Sequence, residues 1–169
     1  MTSIAITNVH LDLGAGRRGT DMGPSAIHVA QLIPRLQKIG HEVALINSLG
    51  SKSNEELLIQ ESNAKFLPDI LKICTELKTT VMKNMEQGHF PLILGGDHSQ
   101  AIGTISGIAN HMRQQNKELG VIWVDAHTDM NTPDTSPSGN IHGMPLATML
   151  GEGHPALVAL NGERPSLRP

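Results

Sequence analysis

The sequence places three side chains that can bind a metal ion at alternate positions directly after an apolar run. Asp125, His127 and Asp129 follow the segment VIWV, and His98 follows a second apolar run in the segment LILGGDHS. Alternate side chains of an extended chain point to the same side, so the first three should converge at the end of a strand. Carboxylate oxygens mixed with imidazole nitrogens suit a divalent ion such as Mn²⁺, and the lack of a nearby thiol argues against structural zinc. The pattern therefore predicts a metal site.

Each of these residues also has a simpler interpretation. Acidic and imidazole side chains after strands often cap helices or bind backbone amides, and His98 alone could be such a residue. Asp97 could orient a ligand imidazole or cap the helix that follows it. His142 follows a loop rich in Ser, Pro, Gly and Asn, and could transfer protons near neutral pH or be merely exposed. The metal interpretation is favoured for the group because neighbouring carboxylates repel unless a cation neutralises them.

The composition is that of a globular protein and excludes several functional classes. The chain has 169 residues, of which 38% are hydrophobic and 17% charged, and its net charge is −3. This length supports one domain with a hydrophobic core. Basic residues are scattered and only three residues are large aromatics, so we expect no nucleic-acid partner. The single cysteine, the lack of a signal-peptide pattern and the lack of a membrane-spanning run predict a cytoplasmic protein without membrane contact.

Four short apolar runs predict strands, and the longer segments between them predict helices. The runs lie at 4–9, 42–46, 91–94 and 120–125. Strands that alternate with helices of this length imply right-handed crossovers and a mainly parallel sheet, so the predicted fold class is α/β. Binding sites in such sheets form beyond the carboxyl ends of the strands, where both candidate motifs lie.

Helix signals between the runs define two long segments. Residues 23–40 begin with the sequence GPS, and Pro34 predicts a kink or break within this first segment. Residues 54–88 form the second predicted segment, with Asn54 as its cap and Pro68 as a dividing point.

Later signals are shorter. Ser99 begins a third helical segment that should end near 114–117. After His142, the sequence GMPLATMLGEG predicts one short helix and PALVAL predicts the start of another strand. The alternation of strands and helices thus stops soon after a strand begins, so we expect the sheet to be incomplete at its C-terminal side.

Several motifs together resemble the arginase branch of the ureohydrolase family. The matching blocks are GRRGTDMGPSAI, LGGDHS, DAHTDMNTP and SGNIHG, which begin at positions 16, 94, 125 and 138. The resemblance implies a three-layer α/β/α fold and an arginase-type hydrolase that acts on a linear amidine C–N bond. The reaction it implies is hydrolysis of L-arginine to L-ornithine and urea, in which a hydroxide that bridges two Mn²⁺ ions attacks the guanidinium carbon.

The resemblance also implies a role for each matching metal-site residue. His98 and Asp129 would be ligands of one manganese ion, His127 would be a ligand of the other, and Asp125 would bridge them. His142 would be the catalytic proton shuttle that exchanges protons with solvent and helps the ornithine amine to leave.

The loop between these motifs would hold the amino-acid end of the substrate. By the same resemblance, Asn131, Ser136 and Ser138 would bind the α-carboxylate, directly or through water, and Asn140 would contact the amino-acid end. Agmatine has no carboxylate, so this loop favours arginase over agmatinase.

The sequence departs from the family pattern after residue 143. A later S-x-D-x-D-x-x-D-P block and a distal glutamate, which the family uses for metal and guanidinium binding, do not occur. Residues 1–169 therefore look like the N-terminal part of a single arginase domain. Only Asp125 and Asp129 would oppose the four positive charges of two Mn²⁺ ions, so we expect weak metal binding and an uncertain activity for this chain alone.

Two alternatives to an arginase stay open. One is a non-catalytic homologue that binds metal weakly or associates with full-length subunits. The other, less favoured, is an agmatinase-type ureohydrolase. For a full-length arginase the resemblance implies a homo-oligomer, either a trimer or a hexamer.

Overall fold

A three-stranded parallel sheet forms the centre of the fold. The structure is a computed structural model that describes residues 1–52 and 54–168. Strand β1 (Ser3–His10) lies in the middle, between β2 (Glu42–Gly50) and β3 (Phe90–Leu94). The first three predicted strands are thus confirmed, and all pair in parallel. Because parallel strands run in one direction, their carboxyl ends lie at the same edge of the sheet.

Helices cover both faces of this sheet. Helices α1 (Gly23–Val29) and α2 (Leu32–Lys38) follow β1, and side chains of α2 pack on one face. Helices α3 (Leu67–Glu86) and α4 (Gln100–Gln114) lie on the other face and enclose the largest core cluster. This is the predicted three-layer arrangement. Fully buried members of the large cluster include Val9, Leu11, Ile70, Leu77 and Ile102.

The first predicted helical segment is broken close to where Pro34 indicated. The break between α1 and α2 falls at Gln31, whose φ of 66° is left-handed. Pro34 then lies in the first turn of α2, where a missing N–H removes no intrahelical hydrogen bond.

The second predicted helical segment is wrong in its first half. A 3₁₀ turn covers Asn54–Glu56, and α3 begins only at Leu67, so that Pro68 lies in its first turn instead of its interior. The predicted cap on Asn54 lies outside the described residues because neither that side chain nor residue 53 is described. Leu58 and Ile59 are 86% and 52% exposed, so they contribute little of the tertiary packing that stabilises a short helix. No helix in the described part of the chain is long and apolar enough to cross a bilayer.

The fourth predicted strand is wrong for the residues as the structure describes them. Residues 120–125 are extended but belong to no sheet. Val121 and Trp123 pack toward α4, whereas Ile122 and Val124 are each 92% exposed. The side-chain alternation of a strand is therefore present, but no neighbouring strand among residues 1–52 and 54–168 pairs with this backbone. A strand is completed only by such pairing.

In residues 144–161, the predicted short helix is present but the predicted strand is a helix. The predicted short helix is α5 (Pro145–Met149). The sequence PALVAL, predicted to start a strand, instead forms α6 (Pro155–Val158) and a 3₁₀ turn. The strand prediction fails because His154 Nδ1 accepts a hydrogen bond from the Ala156 amide at 3.2 Å and caps a helix that begins with proline.

Candidate metal centre and adjoining cleft

The structure brings three of the four predicted metal ligands into direct contact. His98 Nδ1 lies 2.8 Å from an oxygen of Asp129 and 3.0 Å from an oxygen of Asp125. One potential ligand atom from each residue lies within 4.8 Å of the others. Two carboxylates and one imidazole therefore converge on one point beyond β3.

The fourth predicted ligand, His127, lies at the rim of this cluster. Its Nδ1 is 3.6 Å from Asp125, and its backbone N–H donates to the same carboxylate oxygen at 3.0 Å. The imidazole ring is 85% exposed, so it is free to turn toward a ligand.

His98 is positioned by the tight turn that follows β3. A Cβ on Gly96 would collide with the backbone of Leu11, so only glycine permits this close approach. The Trp123 and His98 rings pack in a T-shaped arrangement, with 6.1 Å between their centroids and an angle of 87°. Trp123 was not predicted to take part in the site, because no motif marks an aromatic contact of this kind.

Asp129 is held in an unusual backbone conformation. Its φ is +50°, a left-handed value that aspartate tolerates better than most residues. Its side chain is only 6% exposed, and its carbonyl accepts a hydrogen bond from Leu146 at 3.0 Å. Backbone strain of this kind persists where the surroundings hold it, and here it turns the carboxylate toward His98.

The electrostatics of the cluster suit a cation. The His127 amide, which donates to Asp125, lowers the pKa of that carboxyl, and the imidazoles of His98 and His127 act in the same direction. Asp125 and Asp129 place two carboxyl groups beside one imidazole, and a bound cation would relieve the repulsion between neighbouring carboxylates. Cys74 offers no thiolate, since burial raises its pKa to about 12. An oxygen and nitrogen donor set without sulfur fits Mn²⁺ better than structural zinc.

A cleft of about 370 Å³ opens beside the metal cluster. Every predicted site residue lines it except Asp125, which contacts the lining residue His98. Residues that are distant in the sequence are thus brought to one cavity. The predicted residues that line it are His98, His127, Asp129, Asn131, Ser136, Ser138, Asn140 and His142.

The loop that forms one wall of this cleft presents two serine hydroxyls. Ser136 Oγ accepts from the Gly139 amide at 3.0 Å, and Ser138 Oγ accepts from the Asn140 amide at 3.2 Å. Each oxygen therefore serves as an acceptor, and its hydroxyl hydrogen remains free to donate to an anionic group in the cleft. The two ends of the loop are joined by a backbone hydrogen bond, in which the Asn131 N–H donates to the Gly143 carbonyl at 3.0 Å.

The Asn140 side chain, unlike the two serine hydroxyls, hydrogen-bonds a segment distant in the sequence. Its Nδ2 donates to the Ala15 carbonyl at 3.1 Å. Its Oδ1 is buried and has no hydrogen-bond partner among the residues that the structure describes. The second hydrogen of Nδ2 is not used by this bond, so Asn140 keeps one donor in addition to the buried Oδ1.

His142 has a defined tautomer. Its Nδ1 lies 2.7 Å from the Gly14 carbonyl oxygen, which can only accept, so Nδ1 must carry the hydrogen. The His142 amide donates to the same carbonyl at 3.2 Å. Nε2 is left as the basic nitrogen of the ring.

Sequence reasoning missed the segment that holds His142. A second cavity of about 300 Å³ is lined by Ala15, Arg17 and Asp97 together with His98 and His142. The block that begins at residue 16 carries no predicted role. The neighbouring backbone at 14–15 contributes N–H and C=O groups, which every residue type has, so no sequence signal could have identified it.

Comparison with known proteins identifies the family. The sequence model of the Arginase family matches residues 2–163. This chain belongs to the arginase family. It is 48% identical over 167 residues to arginase from Bacillus subtilis, covering 99% of this chain and 54% of that protein. It is 46% identical over 170 residues to arginase from Bacillus caldovelox, covering 100% of this chain and 56% of that protein.

The solved arginases share its fold. The structure of arginase from Bacillus caldovelox matches with a TM-score of 0.88 and 47% identity, over 100% of this chain and 56% of that one. The chain thus spans about half the length of the curated arginases it matches. The family membership and the arginase fold follow directly from these matches.

Proposed function

We propose that this chain forms part of an arginase active site that hydrolyses L-arginine to L-ornithine and urea with manganese. The observation that carries the proposal is the convergence of all nine predicted site residues on one cluster and its adjoining cleft. The similarity to bacterial arginases along the whole chain supports the same assignment.

His98, Asp125, His127 and Asp129 would hold manganese. The contacts among His98, Asp125 and Asp129 and the sulfur-free donor set support this choice. When bound, two Mn²⁺ ions would acidify a water molecule so that it can attack the guanidinium carbon at neutral pH. The described cluster offers two carboxylates against four positive charges, so we propose that further anionic ligands complete the site in an intact enzyme.

The cleft residues would bind and orient the amino-acid end of arginine. The free hydroxyl hydrogens of Ser136 and Ser138 can donate to the α-carboxylate. The side-chain NH₂ group of Asn131 can donate to it as well. Asn140 lines the same cleft and would contact the amino-acid end. Fixing this end of the substrate would hold the guanidinium group toward the metal cluster.

His142 would move protons during the reaction. Its Nδ1–H is held by the Gly14 carbonyl, so protons would be taken up and released at Nε2. We propose that Nε2 delivers a proton to the leaving ornithine amine. The cytoplasmic location and the trimeric or hexameric assembly remain predictions.

The experiment that tests this function is urea release by the purified 169-residue chain after incubation with Mn²⁺. L-Arginine and agmatine are compared as substrates, and the Asp125→Asn variant serves as the control. Any urea that this chain releases should come from L-arginine and not from agmatine, and the variant should release none. Preference for agmatine would instead support the agmatinase alternative.

A chimaera resolves the case in which the chain alone releases no urea. It joins residues 1–163 to the part of Bacillus subtilis arginase that follows the residue aligned with position 163. Manganese-dependent activity of the chimaera that is abolished by Asp125→Asn would support the proposed site and show that further residues are required. A folded chimaera without activity would contradict the proposal and favour a non-catalytic homologue.

A further inference from the structure

We infer that Asp97 is a positioning residue that fixes the tautomer and orientation of His142 through the backbone of Gly14. The inference rests on the proposed function in assigning His142 the proton transfer, but the contacts that carry it do not depend on that assignment. Asp97 is adjacent to a predicted metal ligand, yet neither of its carboxylate oxygens hydrogen-bonds the His98 ring within the described structure.

The Asp97 carboxylate clasps two segments of the chain. Oδ2 accepts from the Gly14 amide at 2.8 Å and from the Ala15 amide at 3.2 Å. Oδ1 accepts from the Ser99 amide at 2.9 Å and also from its hydroxyl group. Asp97 is only 3% exposed, so these donors replace water around it. The carboxylate therefore ties the segment after β1 to the start of α4.

The other side of the same segment holds the cleft residues. The Gly14 carbonyl accepts from both Nδ1 and the amide of His142, at 2.7 Å and 3.2 Å. The Ala15 carbonyl accepts from Asn140 at 3.1 Å. Residues 14 and 15 thus direct their N–H groups to Asp97 and their C=O groups to the cleft. Because the Gly14 carbonyl and the Ala15 N–H belong to one planar peptide group, the contact of that N–H with Asp97 also fixes the position of the carbonyl that holds His142.

Gly14 is required for this close approach. A Cβ at this position would lie 2.5 Å from an oxygen of Asp97 and 2.6 Å from the Ser99 hydroxyl. Such distances are shorter than van der Waals contact, so any larger residue would displace the clasp.

An uncharged side chain of the same shape cannot replace Asp97. Asparagine has one acceptor oxygen and one NH₂ donor, so it can accept from Ser99 or from residues 14–15 but not from both. In Asp97→Asn, an NH₂ group would face N–H donors, and the Gly14 carbonyl would lose its fixed position. The His142 ring would then be free to adopt either neutral tautomer.

The test is the tautomer of His142, measured by ¹⁵N NMR of its ring nitrogens in the metal-free 169-residue chain. The pH is high enough for neutral histidine, and His142→Gln assigns the signal by its loss. We expect the Nδ1–H tautomer in the original chain and a mixture of both tautomers in Asp97→Asn. A merely structural role of Asp97 would change stability without changing the tautomer.

The matched control is Asp12→Asn. Asp12 is 2% exposed and lies in the same segment, but its carboxylate contacts Arg18 at 3.2 Å and the Gly19 amide at 3.4 Å. This variant should retain the Nδ1–H tautomer. A folded Asp97→Asn chain with an unchanged His142 tautomer would overturn the inference.

Two outcomes remain informative if Asp97→Asn fails to fold. An Nε2–H tautomer of His142 in the original chain would by itself overturn the inference, as would the absence of scalar coupling between the Gly14 amide nitrogen and the Asp97 carboxyl carbon. Because no substrate or metal is present, these results are independent of whether urea is released.

Discussion

His98 and Asp129 lie on backbone that is hydrogen-bonded to neighbouring segments, whereas Asp125 and His127 lie on backbone with an exposed face. The anchored region consists of residues 94–99 and 129–143. Its Asp97 amide donates to the Leu11 carbonyl at 2.8 Å, and its Asp129 carbonyl accepts from the Leu146 amide at 3.0 Å. The open segment consists of residues 119–128, where Ile122 and Val124 are each 92% exposed.

This difference shows which part of the site depends on local structure. Loops that are clasped by backbone hydrogen bonds can hold ligands in place without a neighbouring strand. The open segment has the alternation of a strand, but residues 1–52 and 54–168 supply no paired neighbour for it. The His98–Asp129 contact should therefore be the more rigid half of the metal cluster, and Asp125 and His127 the more mobile half.

The largest expected difference concerns packing, and two isoleucines test it. Ile102 is fully buried in the core beneath the anchored region, and Ile122 is 92% exposed in the open segment. Ile102→Ala should lower the free energy of unfolding by about 2–5 kcal/mol, because it removes buried methyl groups and leaves a cavity. Ile122→Ala should change it by less than about 0.5 kcal/mol. Urea denaturation of both variants measures this, and equal losses would mean that the open segment is packed in solution.

A smaller difference is expected at two glycines. A Cβ on Gly96 would meet the Leu11 backbone, whereas a Cβ on Gly120 would meet nothing within 4 Å. Gly96→Ala should lower the free energy of unfolding by about 1–3 kcal/mol, because the turn before His98 must shift. Gly120→Ala should be close to neutral, and it serves as the matched control in the same denaturation experiment. A neutral Gly96→Ala would show that the anchored region is looser than its contacts indicate.

The sequence allowed much of this arrangement to be predicted, and the failures have physical causes. Strands β1–β3 are short β-branched or leucine-rich runs whose burial depends on neighbours within the chain, so their pattern sufficed. The motifs at 94–99 and 125–143 indicated which side chains meet, although only the first of them follows a strand of the sheet. The run at 120–125 has the same pattern as the others, but pairing depends on a neighbour that the pattern does not specify.

Other features could not be predicted because they depend on the backbone or on tertiary packing. The clasp of Asp97 on residues 14–15 uses amide groups that all residues possess, so no residue type marks it. The sequence PALVAL has strand-forming residues, but a histidine cap and a proline in the first turn favour a helix there.

The most direct test of the account is Mn²⁺ binding to the 169-residue chain, measured from the loss of the free-ion signal in electron paramagnetic resonance. Asp129→Asn is compared with Asp134→Asn, an exposed aspartate in the same loop that lies outside the cluster. Asparagine also tolerates the left-handed backbone at position 129, so the variant removes mainly the charge. We predict weak but saturable binding that is about tenfold or more weaker in Asp129→Asn and unchanged in Asp134→Asn. Equal binding by all three chains, or no saturable binding to the original chain, would contradict the assignment of the metal centre.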